Sequence, residues 1–132
     1  MSQENVEIVR RMYESWNRSR GTPAFDLMDP GIELEVRADG PIDGAYRGHA
    51  GVSEFLDDFW GNFEEHRIDV EECIPAGRDV IAILRYHGRG RASGVEVDGP
   101  GSHVWTFRDG KAVRWRILAT RAEALEAVGL SE

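Results

Sequence analysis

His103-Val-Trp-Thr-Phe-Arg-Asp-Gly-Lys-Ala-Val-Arg-Trp-Arg-Ile-Leu118 reads as a strand, a tight turn and a second strand. His103, Trp105 and Phe107 alternate with residues of the other face, the period of two that a strand imposes. Asp109-Gly110 supplies two residues that tolerate positive φ, as a two-residue hairpin turn requires. Upstream, the same period holds from His66 onward. Residues 68–74 form one strand, broken at Pro75-Ala76-Gly77. Residues 79–91 carry Val-Ile-Ala-Ile-Leu just after Asp79, a run dense enough to be covered on both faces. A turn comes next at 91–94. A further strand region over 95–107 is interrupted near Gly99-Pro100-Gly101.

The N-terminal half has a different rhythm. Val6, Val9, Tyr13 and Trp16 recur at intervals of three and four, and Ile8 and Met12 widen the stripe, which predicts a first helix capped by Ser2. Thr22 and Pro23 open a short second helix that Pro30 stops. Residues 32–37 alternate Ile32, Leu34 and Val36 with Glu33, Glu35 and Arg37, giving one strand with two unlike faces. Gly40, Pro41, Gly44 and Gly48 mark a loop. Val52, Phe55, Leu56, Phe59 and Phe63 give a third helix a broad apolar face. Near the C-terminus, Thr120-Arg-Ala-Glu123 is a capping box ahead of Leu125 and Val128. Helices first and long strands after them predict an α+β domain. Three N-terminal helices would lie on the concave face of a curled, mixed but mainly antiparallel sheet, with a short C-terminal helix. The result is a cone with an open mouth, whose interior is the place for a ligand.

A chain of 132 residues suits a single domain, 1–132. Sixteen Lys and Arg stand against twenty-four Asp and Glu, a net charge of −8. That balance argues against nucleic acid and against an anionic membrane surface. The single cysteine, Cys73, excludes an internal disulfide and a multi-thiolate metal site. Without a secretory signal pattern or an apolar run near about 20 residues, the expectation is a cytoplasmic protein that spans no membrane. His49, His66, His87 and His103 show no metal-ligand spacing, and HExxH, CxxC, P-loop and GxSxG patterns are missing, so neither a metal nor a cofactor is expected. Gly88-Arg-Gly-Arg-Ala-Ser-Gly94 has the glycines of a phosphate loop without the helix that such a loop feeds.

Three polar side chains draw attention. Tyr13 belongs to the apolar stripe of the first helix, His103 shares a face with Trp105 and Phe107, and Glu35 lies on the first strand. They are either a satisfied core phenol, a structural imidazole and a solvated carboxylate, or a base with two hydrogen-bond donors converging inside the cone. A carboxylate with flanking donors is what removal of a proton next to a carbonyl needs. The alternation over 32–37 leaves open which face looks inward. Trp16, Phe59, Trp60, Arg85, Trp105 and Arg116 are further candidates to line the interior. The competing reading is core packing for the aromatics, and outward positions paired with carboxylates such as Glu71 or Glu96 for the two arginines.

Tyr46-Arg-Gly-His-Ala-Gly-Val-Ser-Glu-Phe-Leu56, the stretch 103–111 and the ending Arg121-Ala-Glu-Ala-Leu-Glu-Ala127 resemble SnoaL-like members of the nuclear transport factor 2 superfamily. The likeness runs over nearly the whole chain and is to a bacterial subgroup of mostly unassigned function. It implies a conical α+β fold with a deep pocket and a homodimer packed through the outer sheet face. Comparison with ketosteroid isomerase, in the same superfamily, implies Tyr13 as a donor, Glu35 as the base and His103 as a second donor. The implied activity is that of an isomerase or polyketide cyclase acting on a small apolar or aromatic ligand that contains a carbonyl. The alternatives are a non-catalytic binder of such a ligand and a dimeric interaction domain with a filled pocket.

Overall fold

The stripe of Val6, Val9, Met12, Tyr13 and Trp16 winds into helix α1 (Ser2–Arg18), and each of these side chains is buried. The computed structural model describes residues 2–18, 24–37 and 44–130. Thr22 and Pro23, expected to open a second helix, lie outside the described residues. In place of that helix the described chain has a single 3₁₀ turn, Phe25–Leu27. Pro30 does not stop a helix but sits inside strand β1 (Met28–Val36), where the pairing with the neighbouring strand is irregular between Met28 and Glu33. A short strand β2 (Gly44–Arg47) then leads into helix α2 (Gly48–Trp60). Phe63, expected on that helix, instead begins the next strand. The apolar period of the helix runs straight into the first inward residue of the sheet, and the pattern alone does not mark the join.

Four strands complete the sheet: β3 (Phe63–Ala76), β4 (Asp79–Gly90), β5 (Glu96–Arg108) and β6 (Lys111–Leu118). The six strands lie in the order β2-β1-β6-β5-β4-β3. β1 runs parallel to β6 and every other pairing is antiparallel. At the β5–β6 turn, Asp109 (φ 52°) and Gly110 (φ 77°) both take the left-handed conformation that the hairpin demands. β5 is not interrupted at Gly99-Pro100-Gly101. β6 ends at Leu118, opposite Ser102, so from Gly101 back to Glu96 the strand has β4 as its one partner. Pro100 therefore sits where one side of the strand has no ladder to break.

The sheet has two apolar faces. The inner face carries α1 and α2 and contributes Ile32, Leu34, Val80, Ala82, Leu84, Trp105, Phe107 and Trp115 to the main core. The outer face carries helix α3 (Arg121–Ala127), whose Ala124 and Leu125 pack on Ile81, Val104 and Leu118. Thr120 caps α3 by accepting a hydrogen bond from Glu123 N at 3.1 Å, as the capping box predicts. α1 is tied to the free edge of β3 by one side chain. Asn17 Nδ2 donates to Ile68 O at 2.8 Å, and Ile68 N donates to Asn17 Oδ1 at 2.9 Å. Among the described residues, no helix is long and apolar enough to cross a membrane.

Candidate functional site

Strand parity decides which polar groups meet. β5 turns His103, Trp105 and Phe107 inward, β4 turns Val80, Ala82, Leu84 and Tyr86 inward, and β6 contributes Trp115. α1 lays Tyr13 and Trp16 over them, and α2 adds Phe55, Phe59 and Trp60. Tyr86 reaches His103 by leaning along the sheet across Gly101. A Cβ at Gly101 would stand 2.6 Å from Tyr86 Oη, so a side chain there would have to displace Tyr86. His103 thus lies between two phenols: Tyr13 Oη is 2.6 Å from Nδ1 and Tyr86 Oη is 2.6 Å from Nε2. Trp105 Nε1 donates to Tyr13 Oη at 2.9 Å, which extends the row to four side chains.

Burial sets the charge state of this row. His103 is 1% exposed, and desolvation lowers its pKa to about 3. The imidazole is therefore neutral at any pH near 7. Burial also raises both phenols above the usual tyrosine value, so Tyr13 and Tyr86 keep their protons. Aromatic rings enclose the row. Trp115 stacks on Trp105 with centroids 4.6 Å apart and meets His103 edge-on at 5.4 Å. Trp16 contacts both Trp115 and Trp60 edge-on, at 5.9 and 6.1 Å. Two donors in this cluster are unused. Trp16 Nε1 and Trp115 Nε1 are buried and have no hydrogen-bond partner among the described residues.

Of the residues singled out in the sequence, Tyr13 and His103 meet, Trp16 and Trp105 contact Tyr13, and Phe59 and Trp60 contact Tyr86. Glu35 does not join them. Ile32, Leu34 and Val36 take the inner face, which turns Glu35 to the outer one. There Arg114 grips it with Nε at 3.0 Å and Nη2 at 2.5 Å, and Arg37 Nη2 lies 2.9 Å away. The hydrogen bond from Arg114, with the charges of Arg114 and Arg37, lowers the carboxyl's pKa and suits it to ion pairing. Arg85 and Arg116 also lie outside the inner site. Arg85 Nε bonds Asp98 Oδ1 at 2.5 Å, and Arg116 Nη2 lies 3.9 Å from Asp79 beside α3. Both are outward strand positions paired with carboxylates, though not with the Glu71 and Glu96 considered from the sequence. Tyr86 is a member of the site that sequence reasoning misses. Its signal is present, two residues beyond Leu84 on the same face, but the Arg-Gly-rich surroundings disguise it.

The site is rich in donors, poor in acceptors and without formal charge. Among the described residues, the buried polar ones are Ser102 and His103, and no carboxylate is buried. No group of three His, Cys, Asp or Glu side chains among them is placed to hold a metal ion.

Among curated proteins, none matches the chain in sequence. Solved structures do match in fold. Bal32a, from a soil-derived mobile gene cassette, superposes with a TM-score of 0.77 at 19% identity, covering 88% of each chain. TerC, co-crystallised with polyporic acid, gives 0.76 at 24% identity over 95% of this chain and 97% of its own. A putative SnoaL-like polyketide cyclase from Jannaschia sp. CCS1 gives 0.75 at 21% identity over 96% and 92%. The model of the SnoaL-like domain matches residues 9–115, a span that holds Tyr13, Tyr86, His103, Trp105 and Trp115. The chain belongs to the SnoaL-like domain family.

Proposed function

We propose that this protein binds a small, largely apolar aromatic molecule bearing a hydrogen-bond acceptor oxygen, held between α1, α2 and the inner face of the sheet. The unused N–H groups of Trp16 and Trp115 carry the reading. An indole nitrogen can only donate, and leaving it buried and unpaired is costly. An acceptor oxygen arriving among these rings satisfies donors that the protein leaves open, while the rings cover the apolar remainder. The fold offers precedent, since TerC is co-crystallised with polyporic acid.

Binding is favoured over proton abstraction next to a carbonyl. That reaction needs a base. Glu35 is on the other face, and His103 is a weak base because burial holds its pKa at about 3. The test uses 2-acetylnaphthalene and 2-ethylnaphthalene, which share a frame and differ in the carbonyl. The ketone should raise the melting temperature and quench tryptophan fluorescence more than the hydrocarbon, and Trp16→Phe should reduce the difference. No exchange of the methyl protons of the ketone with deuterium should accompany binding. Equal affinity for the two probes, or exchange catalysed by the protein, contradicts the reading.

A further inference from the structure

The row of four side chains has a direction. A neutral imidazole offers one N–H and one lone pair, and each nitrogen of His103 faces a phenol oxygen at 2.6 Å. Trp105 can only donate, so its bond to Tyr13 Oη uses one lone pair of that oxygen. Suppose the proton of His103 is on Nδ1. Tyr13 Oη then accepts twice, and its own O–H, fully enclosed, finds no acceptor among the described residues. With the proton on Nε2, every group inside the row is used. Trp105 N–H donates to Tyr13, Tyr13 O–H donates to Nδ1, and Nε2–H donates to Tyr86 Oη. The O–H left over is that of Tyr86, the member of the row that is partly exposed.

We infer that Tyr86 presents this hydroxyl proton to the bound molecule and, alongside the indole N–H groups of Trp16 and Trp115, selects a carbonyl-type acceptor oxygen. The inference rests on the binding site proposed above and names the group that reads the ligand there. Tyr13 and His103 become positioning residues that act through Tyr86. Each donor in such a series polarises the next, so the last O–H is a stronger donor than an isolated phenol. Gly101 leaves the space that the ring of Tyr86 occupies beside β5, and Phe59 and Trp60 flank the ring with centroids 6.5 and 6.2 Å away.

Two measurements test it. In ¹⁵N-histidine NMR of the ligand-free protein, His103 should show a protonated Nε2 and a bare Nδ1, unchanged between about pH 5 and 8. The opposite tautomer overturns the inference even if the site binds its probe. In titrations, Tyr86→Phe should weaken 2-acetylnaphthalene about tenfold and 2-ethylnaphthalene less than about twofold. An equal loss for both probes overturns the role of Tyr86 and leaves the binding site standing. Failure of the wild type to bind either probe overturns the site and this inference together.

Discussion

Replacing Tyr13 by Phe removes one oxygen from the middle of the hydrogen-bonded row and leaves the ring against Trp16 and Trp105. Two groups lose their partner at once: Trp105 Nε1–H, 2.9 Å from that oxygen, and His103 Nδ1, 2.6 Å from it. Both residues are only 1% exposed, so bulk water does not replace the lost bonds. Stranding a buried polar group costs roughly 1–3 kcal/mol, so losing two should cost about 2–6 kcal/mol of stability. With a urea m-value of roughly 2 kcal/mol/M, the unfolding midpoint falls by about 1–3 M. Equilibrium urea unfolding followed by tryptophan fluorescence measures this, and the m-value should not change. Trp105→Phe breaks one of the same bonds. The double variant should be at least about 1 kcal/mol better than the sum of the singles, because the N–H that Tyr13→Phe strands is no longer present. A loss below about 0.5 kcal/mol for Tyr13→Phe, or strict additivity with Trp105→Phe, refutes a shared buried row.

Three other expectations rest on the same geometry. His103 titrates at about 3 in the folded protein and near 6.5 unfolded, so its contribution to stability is full above about pH 6.5 and is lost as the pH falls toward 3. His103→Gln should flatten the stability profile between about pH 6.5 and 5, and an identical slope in wild type and variant speaks against a neutral buried ring. Gly101→Ala drives a methyl group into Tyr86 and should cost about 1–3 kcal/mol; if Tyr86→Phe in that background costs as much as in wild type, the two residues are not coupled. Glu35→Gln should change stability by less than about 1 kcal/mol and leave 2-acetylnaphthalene affinity within about threefold, and a larger affinity change would put Glu35 in the site.

Tyr13 and His103 can be found from the sequence because each interrupts an apolar pattern whose face is unambiguous. Tyr13 falls within a helical stripe, and His103 shares its strand face with two large aromatics. Glu35 cannot be placed in that way. Alternation over 32–37 separates two faces without saying which meets the helices, and a pocket lined by a carboxylate would show the same pattern. The structure resolves it by burying Ile32, Leu34 and Val36 and giving Glu35 to two arginines. Tyr86 is hidden for the opposite reason. In Val-Ile-Ala-Ile-Leu both faces of β4 are apolar, so counting by two gives its parity but not its destination. The short second helix illustrates a third limit. Phe25–Leu27 is a single turn, where local signals are weak and neighbouring packing decides the backbone.

Asn17 bears on how copies of this chain can meet. β3 is fourteen residues long and lies at the margin of the sheet, where an unpaired strand invites another to add on. The carboxamide of Asn17 imitates the two bonds a neighbouring strand would make to Ile68, and so acts as a one-residue stopper near the middle of that margin. Another strand can pair with Ile68 only after Asn17 is displaced.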